Sequence, residues 1–227
     1  IEAACLLPIV ARVREQFDLI APTTDIAAAL GADPLLTGML RQHPGIRVPG
    51  CWDGFELAVR AILGQQVSVA AATTFAGRLA DRYGEKTTLP GSLAEGSSKV
   101  TLSRLFPDPD RLSRARLESI GVVRARAATI RDLARAVSSG EISFEPGGDP
   151  ETLADRLRSI RGIGEWTTQY VLMRAVKDPD AFPATDLGLV KAAGLPAARL
   201  AERAESWRPW RAYAALLLWN SLEASGG

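Results

Sequence analysis

The stretch "IRGIGEWTTQY" (residues 160–170) places two glycines around one isoleucine just before a helix-like run, and a single aspartate, Asp186, follows in "FPATDLGL" (residues 182–189). Gly162 and Gly164 can adopt positive φ and admit a second backbone at close range. A helix that starts immediately afterwards turns unpaired N–H groups and its positive dipole end outward. That combination holds a phosphate without reading a base. The same turn also suits plain close packing of two helices, with Ile163 pinned in the core. Asp186 heads the run "LGLVKAAG" and has the position of a helix N-cap, a role worth about 1 kcal/mol. A carboxylate near a helix N-terminus also stays ionised, so it can stabilise positive charge as that charge develops on a substrate.

Other catalytic chemistries are poorly supplied. His43 is the only histidine and sits in an "RQHPG" turn; Cys5 and Cys51 are the only cysteines. Two thiols cannot build a four-cysteine zinc or iron–sulfur centre, so neither is expected, nor is any obligatory cofactor. Both cysteines are expected to be reduced and buried. Carboxylates, lysines, hydroxyls and the backbone are left to act.

The elements that must position these residues read as helices. The spacing predicts helices in "ACLLPIVARVREQF", after Asp33-Pro34, in "DGFELAVRAILG" behind a capping Asp53, and in "SVAAATTFAGRLADRYG" between Ser68 and Gly84. Short helices are predicted through "LSRLF", "DRLSRA" and "RLESIG". Longer ones follow in "VRARAATIRDLARAV", "ETLADRLRSI", "EWTTQYVLMRAV", "DLGLVKAAG", "PAARLAERAES" and "RPWRAYAALLLWNSL". No segment sustains a period of two, so the class is all-α, with ten to twelve short helices. The 227 residues, 47% hydrophobic and 23% charged, suit a globular protein with a real core. No apolar run nears the roughly 20 residues of a membrane span, and no signal peptide is visible. Ile1 in place of an initiator methionine is expected of a processed or partial chain. The net charge is only +1, but residues 99–135 hold nine basic and four acidic side chains, leaving +5 there and −4 elsewhere. Such asymmetry fits either a polyanion-facing surface or a solvated helix face.

Taken together, "IRGIGEWTTQY…FPATD" resembles the helix–hairpin–helix (HhH-GPD) base-excision DNA glycosylases, and within them the 3-methyladenine DNA glycosylase II branch. "GCWDGFELAVRAILGQQVSVAAATTFAGRLADRYGE", "IGVVRARAATIRDLARAV" and "AESWRPWRAYAALLLW" resemble further parts of that family, so the likeness runs from about residue 5 to 220. The small β-containing N-terminal domain of some members is expected to be missing here. The resemblance implies two helical lobes around a cleft. The central lobe would span 51–179, with the hairpin at about 152–176, and the second would combine 1–50 with 180–227 and carry the catalytic aspartate.

By the same resemblance, Asp186 is the catalytic carboxylate, and Trp166, Tyr170, Leu187 and Trp219 line the base pocket. Trp166 and Tyr170 lie four apart on one helix face, and electron-rich rings suit a cationic, N-alkylated purine. Trp207 and Trp210 are expected only to pack. Gln66 stands where the family carries a wedge that fills the gap left by the flipped base. Gly162, Gly164, Thr167, Arg124 and Arg126 are expected to contact the DNA backbone. Carbonyls of Arg158, Ile160 and Ile163 are expected to hold a structural Na+ or K+. Bifunctional members attack the sugar with a lysine where this chain has Trp166, so the implied activity is hydrolysis without lyase chemistry. The implied setting is a cytoplasmic, monomeric enzyme acting on double-stranded DNA with an alkylated base and away from membranes. The alternatives are a non-catalytic helix–hairpin–helix module, an all-α scaffold, or a glycosylase for uracil, hypoxanthine or oxidised purines.

Overall fold

The computed structural model describes residues 3–87, 103–145 and 147–224. Twelve α-helices order these residues: α1 (Ala3–Gln16), α2 (Thr23–Leu30), α3 (Pro34–Gln42), α4 (Gly54–Gly64), α5 (Val69–Tyr83), α6 (Pro109–Ser113), α7 (Arg124–Ser138), α8 (Pro150–Ser159), α9 (Glu165–Val171), α10 (Leu187–Ala193), α11 (Ala197–Ala204) and α12 (Arg211–Ala224). The all-α expectation is met, and no strand occurs among the described residues. Many helix starts are set by a side chain that takes an orphan N–H. Asp33, Asp53, Ser68, Asp108, Asp149 and Asp186 each accept from a first-turn amide. Proline follows the cap at Pro34, Pro109 and Pro150, where no N–H is needed.

The core explains the apolar C-terminal run. Ala212 to Leu218 are all buried, because α12 is surrounded, with α3 and α10 packed against it. Helix α4 plays the same part for its neighbours: Ala58, Val59, Ile62 and Leu63 are buried where α5, α7 and α9 meet it.

Three expectations are corrected. The segment "LSRLF" is not helical over its described part. Thr87 N–H reaches the Ser103 carbonyl (3.0 Å) and Leu105 N–H the Glu85 carbonyl (2.9 Å), around a single antiparallel bridge from Lys86 to Arg104, so these amides pair across the chain instead of along a helix. Helix α1 forms, but its apolar face is uncovered: Leu6 is 52% and Leu7 78% exposed. Cys5 is exposed rather than buried, and only Cys51 is partly buried, where burial and the nearby Asp53 charge push its thiol up to about 11. Lys99, counted in the basic stretch, lies outside the described residues.

One polar junction joins distant segments. Asp33 caps α3 through Leu35 N–H at 2.8 Å, receives Trp207 Nε1–H at 2.7 Å, and is gripped by both Arg203 Nε–H (2.9 Å) and Nη2–H. Trp207 is buried beneath it with its ring edge-on to Phe182, so its expected packing role holds. The Arg203 hydrogen bond is the largest cause that lowers the Asp33 carboxyl from 3.8 to about 2. The stability this anion contributes is therefore full above pH 3.8 and lost as pH falls towards 2. Asp33→Ala is expected to cost about 3 kcal/mol, since it removes a cap and strands two donors. Urea unfolding between pH 2 and 5 is expected to show the acid loss in the wild type and its absence in Asp33→Asn.

Candidate active site

Asp186 is presented by a short crossover, residues 178–186, that is held from two sides. Gln169 of α9 accepts Phe182 N–H at 2.9 Å. From α12, Arg211 forks onto Asp180, with Nε to Oδ1 at 2.8 Å and Nη2 to Oδ2 at 2.9 Å, while Ala212 N–H reaches the Pro179 carbonyl at 2.9 Å. The chain therefore arrives at α10 with its path fixed on both flanks.

Three donors then fix the Asp186 carboxylate itself. Leu189 N–H caps to Oδ1 at 3.0 Å, Trp219 Nε1–H reaches Oδ1 at 2.9 Å, and Trp166 Nε1–H reaches Oδ2 at 2.7 Å. A carboxylate offers about four acceptor positions, so one direction on Oδ2 stays open. Both tryptophans thus orient the anion as well as wall the site. Gly188 makes this possible. A Cβ there would stand 2.9 Å from Asp186 Oδ1 and 3.2 Å from Trp219 Cδ1, so the indole reaches the carboxylate only over a bare α-carbon.

The carboxylate faces a cavity of about 600 Å³ between α4, α5, α9 and α12, lined among others by Trp166, Tyr170, Arg174, Trp219 and Asn220. Trp166 and Tyr170 are stacked, with ring centroids 5.3 Å apart and an interplanar angle of 8°. Arg174, one further step of four along that face, lies over the Tyr170 ring at 5.7 Å and donates to the Pro49 carbonyl at 2.7 Å. Tyr170 is thus stacked on Trp166, approached by Arg174, and lines the cavity together with Trp166 and Trp219. Leu187 is corrected. As the first residue of α10 it points to solvent, is 84% exposed and does not line the cavity. His43 closes α3 and is likewise outside the lining.

Beside the cavity stands the glycine hairpin between α8 and α9. Gly162 takes φ +96°, and a Cβ on it would meet Thr129 Oγ1 at 2.2 Å, where Thr129 donates to the Arg161 carbonyl at 2.8 Å. Gly164 behaves differently from expectation: its backbone is extended and a Cβ would meet nothing. Internal packing requires the first glycine only. Gly164 begins α9 without a side-chain cap, so the first-turn amides of α9 have no side-chain partner. Thr167 is buried, only 3% exposed, and its Oγ1 accepts from Gln65 Nε2 at 2.9 Å. Arg158 and Glu165 close the hairpin as an ion pair, Nε to Oε2 at 2.7 Å, and that contact holds the Glu165 carboxyl below its usual range.

Gln65 had no signal of its own in the sequence. Its amide donates to the Gly162 carbonyl (3.1 Å) and to Thr167, joining the end of α4 to the hairpin, and its own carbonyl is held by Arg126. Arg126 is therefore partly spent inside the protein, whereas Arg124 is exposed at the first position of α7. Next to Gln65, Gln66 is exposed with φ +55°, a left-handed conformation that is uncommon for a non-glycine residue. Of the hairpin carbonyls named in the sequence, Ile160 accepts Ile163 N–H at 3.0 Å and keeps a second lone pair; all three are neutral oxygens, a donor type that hard cations take.

Residues 59–200 match the family described as the HhH-GPD superfamily base excision DNA repair protein, and residues 2–53 match the AlkA N-terminal domain. The second match falls on helices α1 to α3 and their connections, with no strand among its described residues. Over 223 residues the chain is 41% identical to the probable bifunctional transcriptional activator/DNA repair enzyme AlkA of Mycobacterium tuberculosis, covering 96% of this chain but only 43% of that protein. It is 36% identical to DNA-3-methyladenine glycosylase 2 of Escherichia coli, covering 96% and 72%. Among solved structures, the 3-methyladenine DNA-glycosylase of Archaeoglobus fulgidus shares the fold at a TM-score of 0.75 and 20% identity, covering 96% of this chain and 75% of that one. The Schizosaccharomyces pombe 3-methyladenine DNA glycosylase in complex with abasic DNA does so at 0.70 and 21%, covering 88% and 97%.

The two hairpin glycines separate by experiment. Gly162→Ala is expected to lose about 2–4 kcal/mol in urea unfolding, from its positive φ and the clash with Thr129. Gly164→Ala is expected to stay within about 1 kcal/mol of the wild type while weakening duplex binding.

Proposed function

Because the chain belongs to the HhH-GPD superfamily of base excision DNA repair proteins, we propose that it hydrolyses the N-glycosidic bond of alkylated bases, such as 3-methyladenine, in duplex DNA and leaves an abasic site. The observation that carries this reading is the Asp186 carboxylate, held by two indole N–H groups inside a ring-lined cavity beside the uncapped start of α9. A non-catalytic DNA-binding module needs the amides but neither the cavity nor the clamped anion.

In the proposed mechanism the uncapped start of α9, with Gly164 and Thr167, and the exposed Arg124 hold the phosphate backbone. Gln66 enters the duplex as the wedge, and the target nucleotide swings into the cavity at an unstacking cost of a few kcal/mol. The base lies against Trp166 and Trp219. A cationic N-alkylpurine gains about 0.5–2 kcal/mol from such ring contacts. When the C1′–N bond breaks, its electron pair goes to the base, which leaves neutral, and the sugar becomes cationic. Asp186 stabilises that charge through the open side of Oδ2. It also takes the proton of the water whose oxygen bonds to C1′. No general acid is needed for a base that already carries positive charge.

No lysine is among the described residues that line the cavity, which supports hydrolysis without lyase chemistry. A Na+ or K+ held by the Arg158, Ile160 and Ile163 carbonyls would supply positive charge opposite a phosphate. We place the protein in the cytoplasm, on DNA, as a monomer. None of its described helices is long and apolar enough to cross a membrane.

Asp186→Asn is expected to keep its fold and duplex affinity yet lose excision of 3-methyladenine by several orders of magnitude in single-turnover assays. Near-wild-type rates would remove Asp186 from the chemistry. Trp219→Phe keeps a ring but removes one donor, and is expected to slow the bond-breaking step about 10–100-fold with little change in KM. Borohydride treatment of the enzyme with alkylated duplex is expected to trap no covalent adduct.

A further inference from the structure

The strongest surface feature outside the cavity is a concavity of about 1070 Å³ at the C-terminal end of α5. Arg82, Arg111, Arg114, Arg116 and Arg124 line it together with Tyr83. Four of these side chains, Arg82, Arg114, Arg116 and Arg124, are exposed and form no ion pair among the described residues. The charge is not cancelled from within. The one acid on the rim, Glu118, is forked by Arg131 at 3.0 and 3.1 Å from the other side. Arg111 is balanced by Asp108 at 3.6 Å and anchored on the Tyr83 carbonyl at 3.2 Å. Tyr83 in turn donates its hydroxyl to the Arg116 carbonyl at 2.9 Å, so the wall is rigid. Arg158, Arg203, Arg208 and Arg211, by contrast, are each paired with a carboxylate. Four neighbouring guanidinium groups left facing solvent repel one another, and a polyanion relieves that repulsion.

The position of the concavity selects the polyanion. The first turn of α5, with Val69, Ala72 and Thr73, borders the cavity that holds Asp186, and its last turn carries Arg82 and Tyr83. Fifteen residues of helix span about 22 Å. At about 3.4 Å per nucleotide along one strand, this is roughly six base pairs. Arg124, at the edge of the concavity, begins α7, whose Arg126 holds Gln65 next to the hairpin, so the arginine surface is continuous with the side that would meet DNA. We infer that this arginine concavity holds the phosphodiester backbone of the substrate duplex on one flank of the excised base, about six base pairs away. The inference rests on the proposed action on DNA and adds a second, distal grip to it. The ligand chemistry is repeated phosphodiester charge, read without base contacts.

The test uses Arg82→Ala/Arg114→Ala/Arg116→Ala, which leaves Arg124 and the cavity untouched, with thermal unfolding as the check on folding. Fluorescence anisotropy is measured on alkylated duplexes whose lesion lies about four or about ten base pairs from each end in turn. The wild type is expected to bind more tightly when one flank, and only that one, is lengthened. In the triple variant that gain disappears, and the slope of log affinity against log salt becomes shallower by about 2 to 3 on the long duplex alone. Excision at saturating enzyme is expected to be unchanged. An unaltered slope, or an equal loss on short and long duplexes, overturns the inference while wild-type excision leaves the proposed function standing. Failure of the wild type to excise any alkylated base, alongside a flank-dependent and arginine-dependent grip, overturns the proposed function and supports the distal contact.

Discussion

Three N–H groups converging on one carboxylate hold this structure's chemistry together. Leu189, Trp166 and Trp219 come from α10, α9 and α12, and each spends its donor on Asp186. A charge in a partly dry cavity is useful only if it cannot turn away to find water or a cation, and donors on both oxygens remove that freedom. The rest of the local architecture serves this arrangement. Gly188 has no side chain because the Trp219 ring passes over it. Asp180 and Gln169 anchor the crossover, so Asp186 enters α10 at a set position. The cost of holding the anion is spread over helix capping, indole hydrogen bonds and packing, each of which also stabilises the fold.

A second division of labour runs through the hairpin. Gly162 answers to the interior, where Thr129 sits against it, while Gly164 answers to nothing inside the protein. Thr167 is turned inward to Gln65, while the start of α9 has no side-chain cap. On the proposed reading the groups that meet a phosphate are largely backbone, so such a grip leaves a faint side-chain signature.

Much of this was legible from residue order. Local chemistry announces helix starts, so Asp33, Asp53, Ser68 and Asp186 are caps as read, and the all-round apolar "AYAALLLW" is buried as expected. The hairpin and its aspartate stood out because glycine spacing and a lone acid are rare together. What depends on contacts between distant segments was not legible. Helical spacing put Trp166 and Tyr170 on one face but could not reveal that the Trp166 and Tyr170 rings stack, or that Trp166 gives its N–H to Asp186. The segment "LSRLF" has helical composition, yet pairing with residues 85–87 takes its amides. Leu187 follows Asp186 in sequence but leaves the cavity because the first turn of α10 carries it outward. Gln65 and Gln66 read as a linker, and only the fold distinguishes the one that bonds inward from the one that projects.

That last pair has a kinetic consequence. Gln65 ties the tip bearing Gln66 directly to the Gly162 carbonyl and to Thr167, so the end of α4 and the glycine hairpin are joined next to Gln66. A repair protein that must search long stretches of undamaged DNA usually benefits from sliding with its probe withdrawn. On the proposed reading, the Gln65 contacts couple the two, so an intrusion of Gln66 between bases coincides with a hold on the backbone beside the hairpin.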